Sequence, residues 1–579
     1  MDINTAQIIL ANLRERIEIG PDGKYRLPGV VTQKELDAVN FFISDHLSEV
    51  ASTLKPNVNA TNQITSPEEI QPSVNDSDKS ILQEENILLN LSTFELPESS
   101  SAYRVCLDFG TAMSKASFVY DNEDTGVEEI HVLKLGTPGD QEEIDEVMLV
   151  SSVFIDVDGL LWFGQHAIER AQLAPEDSNS RLDNIKRALS EGNMDEAVDA
   201  TYNPTEYQLT YEDVVLAYLS FFTWTVNDAI TNDLKEPKIT SNFKRRFAMP
   251  CFPKANARIV DGKLKVLLGE AQILADTFQE KIHQGLPLKH FLSALKQLRA
   301  IKLDYSFVEG SVTEPLGVAG SLLSWRSSQD SLALVVDVGA GTSDFSLYRL
   351  RVTIDEEGEI DKTKTTAGEV EGTARGVLEA GNHLDKILMA YILKKSGVDS
   401  SHPKYVNITH ALERGIRDYK ESLFNGRSVL ISLYSGDAVD IKIEEFLELE
   451  AVKSFESSLR KTMIDILESA NRDWIDWILS DATRRLTIVF TGGGASLPMV
   501  RALANGLIEV NGAVIPVAAA KSFPDWLSTD FPDLEDHYSR VAVSLGGARL
   551  NTFRSLGMLK STGSGLGGHT LEGFPIKGN

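Results

Sequence analysis

The chain has 579 residues, 42% of them hydrophobic and 24% charged, with a formal net charge of −29. That length and balance suit a soluble globular protein of several domains with a large core. The acidic excess excludes general nucleic-acid binding, which needs a basic surface to displace counterions, but it leaves room for a locally basic pocket.

In chain order, the opening MDINTAQIILANLRERIEIG has an acid at position 2 and no long apolar core, so it does not read as a signal peptide. No window approaches the ~18 apolar residues of a membrane helix, so no span is expected. The two cysteines, Cys106 and Cys251, are too few for a disulfide framework or a zinc site. These features together lead to the expectation of a reducing, cytoplasmic location.

Residues 1–55 read as a small helical extension. TQKELDAVNFFISDHLSEVASTL puts Leu36, Val39, Phe42, Ile43, Leu47 and Val50 on one helical face, with Thr32 and Glu35 as a capping box. This helix either docks a partner or packs on the main body. Residues 56–100 are rich in Asn, Ser, Pro and acids and read as a flexible linker, in which ILLNLSTFEL has the character of a short docked strand. From Tyr103 to Asn551 strand-like and helix-like runs alternate, the pattern of an α/β architecture. The expected division is a first lobe over 101–335, a second over 336–556, and a glycine-rich tail over 557–579, too short for a further domain.

This body contains a repeat. VCLDFGTAMSKASFVY (105–120) mirrors VVDVGAGTSDFSLYRL (335–350): an apolar run, an acid, a turn containing glycine, then a second strand. One such hairpin in each half of a duplicated fold makes two lobes facing a cleft. Glycine lets a ligand approach the main chain, and successive amides in such a turn form a concave anion site. Thr111, Ser114, Thr342 and Ser343 add hydroxyl donors. Asp108, Asp337 and Asp344 would repel a bare phosphate. That conflict disappears with Mg²⁺ between them, because Mg²⁺ takes oxygen ligands and bridges phosphates to carboxylates. The acidic run IDEEGEIDK (354–362) reads as a solvated hairpin tip.

A third element, LTIVFTGGGASLPMVRALANGL (486–507), reads as a buried strand, three glycines and a helix, with Ser496 as cap and Pro498 in the first turn. Gly492, Gly493 and Gly494 would let the backbone pass close to a flat ligand.

These three segments, in this order, resemble the actin-like ATPase superfamily, and within it the nucleotide-binding domain of the DnaK-type seventy-kilodalton heat-shock chaperones. RFAMPCFPKANAR (246–258), SFVEGSVTEPLGVAGSL (306–322), LDNIKRALSEG (182–192), ALERGIRDYKESLFNG (411–426) and SRVAVSLGGARLN (539–551) are similar to further segments of that domain. The resemblance implies a two-lobed fold of duplicated ribonuclease-H-like domains, with ATP or ADP and Mg²⁺ as cofactors. It further implies that Asp108 and Asp337 hold Mg²⁺ through its waters. Amides near Gly110, Thr111, Ala112, Gly339, Ala340 and Gly341 would cradle the phosphates. Lys186 would neutralise γ-phosphate charge, Glu314 and Asp337 would position the attacking water, and Thr342 would touch the γ-phosphate. Lys420 and Gly492–Gly494 would border the nucleoside. The implied activity is slow ATP hydrolysis that toggles the lobes of a chaperone-like switch.

The sequence departs from the family in several places. Ala112 lacks a hydroxyl, and Ala340 fits its turn only at negative φ. Around the nucleoside the family uses arginines and a serine, and Glu421, Phe424 and Ser496 stand there instead. The family's peptide-gripping β-sandwich and lid do not fit in the residues after Asn551. A protein partner or client is therefore expected on the ATPase body or the N-terminal extension. The alternatives are a filament-forming actin relative, a small-molecule kinase of the same superfamily, and a pseudo-ATPase scaffold that binds nucleotide.

Overall fold

The computed structural model describes residues 18–19, 25–26, 87–96, 103–122, 127–136, 146–174, 179–233, 243–252, 254–324, 327–358 and 366–549. Its contacts separate two units, Met1–Leu82 and Gln83–Asn579. In the first, Glu18–Ile19 pairs antiparallel with Tyr25–Arg26. This corrects the purely helical reading of residues 1–55. The signal was present in the sequence, because Gly20-Pro21-Asp22-Gly23 is turn chemistry between two short apolar or aromatic runs. The helix expected around residues 32–54 and its Thr32–Glu35 box lie outside the described residues, as does the tail.

The second unit begins with a strap. The stretch expected to be a short docked strand is docked, but as extended residues leading into one helical turn, α1 (Ser92–Glu95). Asn90 donates from its amide to Thr277 Oγ1 at 3.0 Å and from Nδ2 to Asp276 O at 3.2 Å. Thr93 Oγ1 donates to Asp276 Oδ2 at 2.5 Å, and Phe94 lies about 6 Å from the rings of Tyr305 and Phe307. The strap's partner is the end of a helix, which offers no strand edge to extend, so no ladder forms.

The first large sheet contains β1 (Tyr103–Asp108), β2 (Met113–Asn122), β3 (Val127–Val132) and β4 (Leu149–Val150). After it come α2 (Arg187–Glu191), α3 (Tyr211–Asp233), β5 (Lys244–Met249), α4 (Lys254–Phe278), β6 (Val308–Thr313) and α5 (Glu314–Leu322). The strand order is β6-β5-β1-β2-β3, with β4 on β2. β1 and β2 form an antiparallel hairpin, and β5 and β6 run parallel to β1. Helices α3 and α4 cover one face over a core that includes Leu107, Phe118, Tyr218, Phe247 and Leu267. Within α3, Tyr211–Asn232 reaches a mean hydropathy of 1.2, enough by length and composition to cross a membrane, and 72% of that window is buried inside the body. This qualifies the sequence reading, which found no such window. A helix that is apolar on all sides is also what a core position requires.

The second large sheet repeats that plan. It comprises β7 (Gln329–Val338), β8 (Ser343–Val352), β9 (Thr366–Glu369) and β10 (Arg375–Val377). Then follow α6 (Gly381–Ser396), α7 (Tyr405–Gly426), α8 (Arg472–Leu479), β11 (Leu486–Thr491), α9 (Pro498–Arg501), β12 (Leu507–Val510), β13 (Ala513–Ala519) and α10 (Tyr538–Ala548). The order is β9-β8-β7-β11-β13-β12, with β10 on β8. β7 and β8 form the hairpin, β11 runs parallel to β7, and β13 runs parallel to β11. The chain is therefore an α/β protein with mixed sheets. Smaller sheets form from segments of 152–183 with Leu286–Pro287, and from 428–442.

A third core lies between the sheets. Cys106, Val119 and Ala248 of the first sheet and Val335, Tyr348 and Val489 of the second pack with Val318 of α5 and Ala542 and Leu545 of α10. Helices α5 and α10 meet backbone to backbone: a Cβ on Gly546 would stand 1.7 Å from Gly317 O, and one on Gly317 would stand 2.5 Å from Val543 O. No side chain fits there without parting the helices. Gly546→Ala is expected to destabilise this unit by about 1–3 kcal/mol, the usual cost of overpacking, read as a lower urea midpoint. An unchanged midpoint would contradict the close contact.

Candidate functional site

The two hairpins bring their turns together. The position of a Cβ on Gly341 is 2.8 Å from Thr111 Oγ1, so the turn after β7 touches the turn after β1. Asp108 ends β1, with Lys115 Nζ 3.6 Å from its Oδ2. Asp337 lies near the end of β7, directly opposite Asp344 on β8. All three aspartates are buried.

Each turn is fixed by its neighbours. Gly339 N donates to Thr342 O at 3.0 Å, closing the second turn. The carbonyls of Gly339 and Ala340 accept from Gly381 and Asn382 at the start of α6, at 3.0 and 2.8 Å. That leaves the amides of Ala340 and Gly341 without a main-chain partner among the described residues, while the Gly339 amide expected to cradle phosphate is already engaged. Ala340 is not among the positive-φ residues, as its turn requires. In the first turn, Ala112 O accepts from Ser151 N at 2.9 Å. Two of the four expected hydroxyls are engaged elsewhere. Ser114 is buried against Ser151 Oγ (3.0 Å) and Tyr218 OH (3.1 Å), and Ser343 donates to Glu379 O at 2.5 Å. Thr111 remains at the junction of the turns, and Thr342 beside Asp344.

Lys186 precedes α2 and is buried. Its Nζ is 2.5 Å from Glu314 Oε1, the first residue of α5. Burial pulls the ammonium down, but Glu314, Asp108 and Asp344 together raise it above the ordinary lysine range, so it stays charged. Asn184, two residues earlier, sits at φ 57 and accepts from Asn382 Nδ2 at 3.2 Å, which ties the Lys186 loop to α6.

Two glycines of the triplet are required by packing. Because β11 pairs with β7 in register Thr491↔Asp337, the loop after it presses on the second hairpin. A Cβ on Gly492, whose φ is +81, would stand 2.3 Å from Asp337 Oδ1, and one on Gly494 would stand 2.5 Å from Val338 Cγ1. These two glycines allow strand-end packing, and only Gly493 faces open space. Pro498 opens α9 as expected, but the N-cap is Leu497 and Ser496 does not cap it. Lys420 pairs with Asp385 at 2.7 Å and donates to Gly381 O at 3.1 Å. It therefore fastens α7 to α6 directly behind the Ala340 turn. Glu421 is exposed beside Arg417, and Phe424 packs edge-on against Phe446.

The sequence reading did not give a role to Lys115, Asn184, Cys251 or Asn382, and left Asp344 outside the catalytic set. Cys251 N donates to Asp344 Oδ1 at 2.6 Å, linking the loop after β5 to β8 of the other sheet. Asp344 Oδ2 is buried without a hydrogen-bond partner among the described residues. Asp344 could have been found from the sequence, as the second acid flanking the glycine turn. Contacts such as Cys251–Asp344 span 93 positions and leave no local signal.

The electrostatics are those of crowded acids. Burial, then the charges of Glu314, Asp344 and Asp108, push Asp337 well above the carboxylate range. Burial and Glu314 push Asp344 up to about 7, against the pull of the Cys251 amide. Such a set, with one carboxylate oxygen unpartnered, suits an oxygen-seeking cation. Among the described residues no three His, Cys, Asp or Glu side chains form a direct metal cage. A cation here would thus keep waters and take further oxygens from a ligand, as Mg²⁺ does. No family model matches the chain, and no curated protein matches it.

The raised acids make stability fall with pH. The folded protein holds the Asp344 proton where the unfolded chain has lost it, so stability is greatest below about pH 4 for this group and declines as pH rises towards about 7. Asp344→Asn keeps an acceptor for Cys251 N and should remove most of that decline. In the absence of ligand it should gain a few kcal/mol at most over wild type at pH 8, and nothing near pH 4, in urea unfolding. Parallel pH profiles for the two proteins would rule this out.

Proposed function

We propose that the protein is a Mg²⁺-dependent ATP-binding switch that hydrolyses ATP slowly. We further propose that it has a two-lobed actin-like fold, related to the nucleotide-binding domain of the DnaK-type chaperones. The observation that carries the reading is the meeting of the two hairpin turns, Thr111 against Gly341, with Asp108 and Asp337 behind them. The shared plan of the two sheets and the two helices packed between them support it further.

On this reading Asp108 and Asp337 would hold hydrated Mg²⁺, and Asp344 would complete the acidic wall. When bound, the ion would neutralise phosphate charge and bridge it to the carboxylates. The amides of Ala340 and Gly341 and the hydroxyls of Thr111 and Thr342 would donate to phosphate oxygens. Lys115, half-buried beside Asp108, adds a cation on the first hairpin. Lys186, held charged by Glu314, would stabilise charge on the outermost phosphate, and Glu314 would orient a water and accept its proton. Such transfer depends mainly on positioning and preorganised charge, which the buried Lys186–Glu314 pair provides. Lys420 supports this arrangement from behind, through α6, rather than by touching the base.

Calorimetric titration with ATP, ADP and GTP, with and without Mg²⁺, tests the proposal. Saturable heat for ATP with Mg²⁺ is expected, weakened at least tenfold in Asp337→Ala, roughly the value of one charged contact. Protein that shows no nucleotide heat under any of these conditions would falsify the reading. Lys186→Ala should retain nucleotide while losing about 100-fold or more in single-turnover hydrolysis. Equal turnover in the two proteins would remove Lys186 from the mechanism.

A further inference from the structure

At the other end of β8, six residues and therefore roughly 20 Å from the turn, lies a basic cluster of different character. Arg349 is buried there, and it pairs through Nη2 with Asp330 of β7. Its guanidinium carbon lies 4.0 Å from the centre of the Trp477 ring on α8. Arg484, in the loop after α8, places its own guanidinium 4.3 Å from the same ring. Arg484 Nη1 donates to Trp477 O at 3.1 Å and to Ser480 Oγ at 2.8 Å. Arg351, two residues along β8 and so on the same face, is exposed.

Asp330 and Asp481 are the carboxylates tied to these arginines among the described residues. Asp330 is paired with Arg349. Asp481 accepts through Oδ1 from Thr483 N and Oγ1 in its own loop, at 2.8 and 2.7 Å. Three arginines gather here in a chain whose net charge is −29, and the acidic run 354–362 begins three residues beyond Arg351. The arginines also repel one another: burial, then Arg351 and Arg484, draw Arg349 below the ordinary guanidinium range against the pull of Asp330. Stacking on tryptophan accounts for the positions of Arg349 and Arg484. It does not account for Arg349 Nη1, which is buried and lacks a hydrogen-bond partner among the described residues. Buried donors are nearly always paired, and an unpaired one at the centre of a cationic cluster points to an absent acceptor.

We propose that Arg349 and Arg484, both stacked on Trp477, together with Arg351 beside Arg349, form a binding site for a phosphate group, separate from the cleft formed by the two hairpins. Arg349 and Arg351 project from one face of a strand and Arg484 from a loop, so donors come from two elements. Tetrahedral phosphate oxygens can accept from all of them, whereas one planar carboxylate is already supplied by Asp330. The site does not depend on the nucleotide reading and stands or falls by itself.

Trp477 is the reporter. The intact protein is titrated with inorganic phosphate and with phosphoserine, and with acetate as a carboxylate control, while tryptophan emission is followed; the Trp477→Phe variant isolates the local signal. A saturable change is expected with both phosphates, absent in Trp477→Phe. It should weaken about tenfold or more in Arg484→Gln. Arg351→Gln, altered at an exposed position where folding is not at risk, should weaken it as well. Asp337→Ala, in the distant cleft, should leave the midpoint unchanged. No saturable change, an equal response to acetate, or midpoints unaffected by both arginine substitutions would each overturn the proposal.

Discussion

The interaction on which the structure depends is the close meeting of two glycine turns at the ends of paired strands. Because Gly341 leaves space for Thr111, two hairpins from different sheets share one junction and bring their terminal acids together. Burial there gives like charges little dielectric screening, so Asp337 and Asp344 resist ionisation and Lys186 is held firmly by Glu314. An acidic junction of this kind is stable only with protons or a cation. The same feature that weakens the ligand-free protein above neutral pH would therefore favour binding of a cation and its oxyanion.

The rest of the second unit keeps that junction in place. Helices α5 and α10 lie between the sheets, in contact through glycines whose Cβ positions other backbone atoms would occupy. Contact at that distance leaves little freedom to slide, so α5 and α10 hold a fixed spacing between the sheets. The loops at the junction are joined differently, by Cys251 N to Asp344 and by Asn382 to Asn184. Hydrogen bonds between loops are more readily exchanged than helix packing. A protein of this design can hold its sheets rigidly at the helices and still change contacts at the turns.

Much of the site was legible in the sequence because it is made of short contiguous motifs. Apolar runs ending in Asp108 and Asp337, followed by glycine turns, specify hairpins by strand periodicity and turn chemistry alone. An acid followed by proline suits a first helical turn, and the structure begins α5 at Glu314 and Pro315. Other readings failed for identifiable reasons. Ser114 and Ser343 look like free hydroxyls in the sequence but are satisfied by Tyr218, Ser151 and the Glu379 carbonyl. Gly492 and Gly494 have the composition of a ligand loop, yet their close neighbours are Asp337 and Val338. The linker stretch with Thr93 and Phe94 docks on a helix end, so it could not become a strand.

The sequence by itself determined the α/β class, the paired hairpins and the identities of the acids, because strand alternation and turn residues act over a few neighbouring positions. Tertiary structure alone decided which donors and acids are available. Lys186 meets Glu314 across 128 positions, and Arg349 and Arg484 meet on Trp477 from separate elements. Partners so distant are chosen by how sheets and helices pack, and burial then sets their charge. Neither leaves a local pattern in the chain.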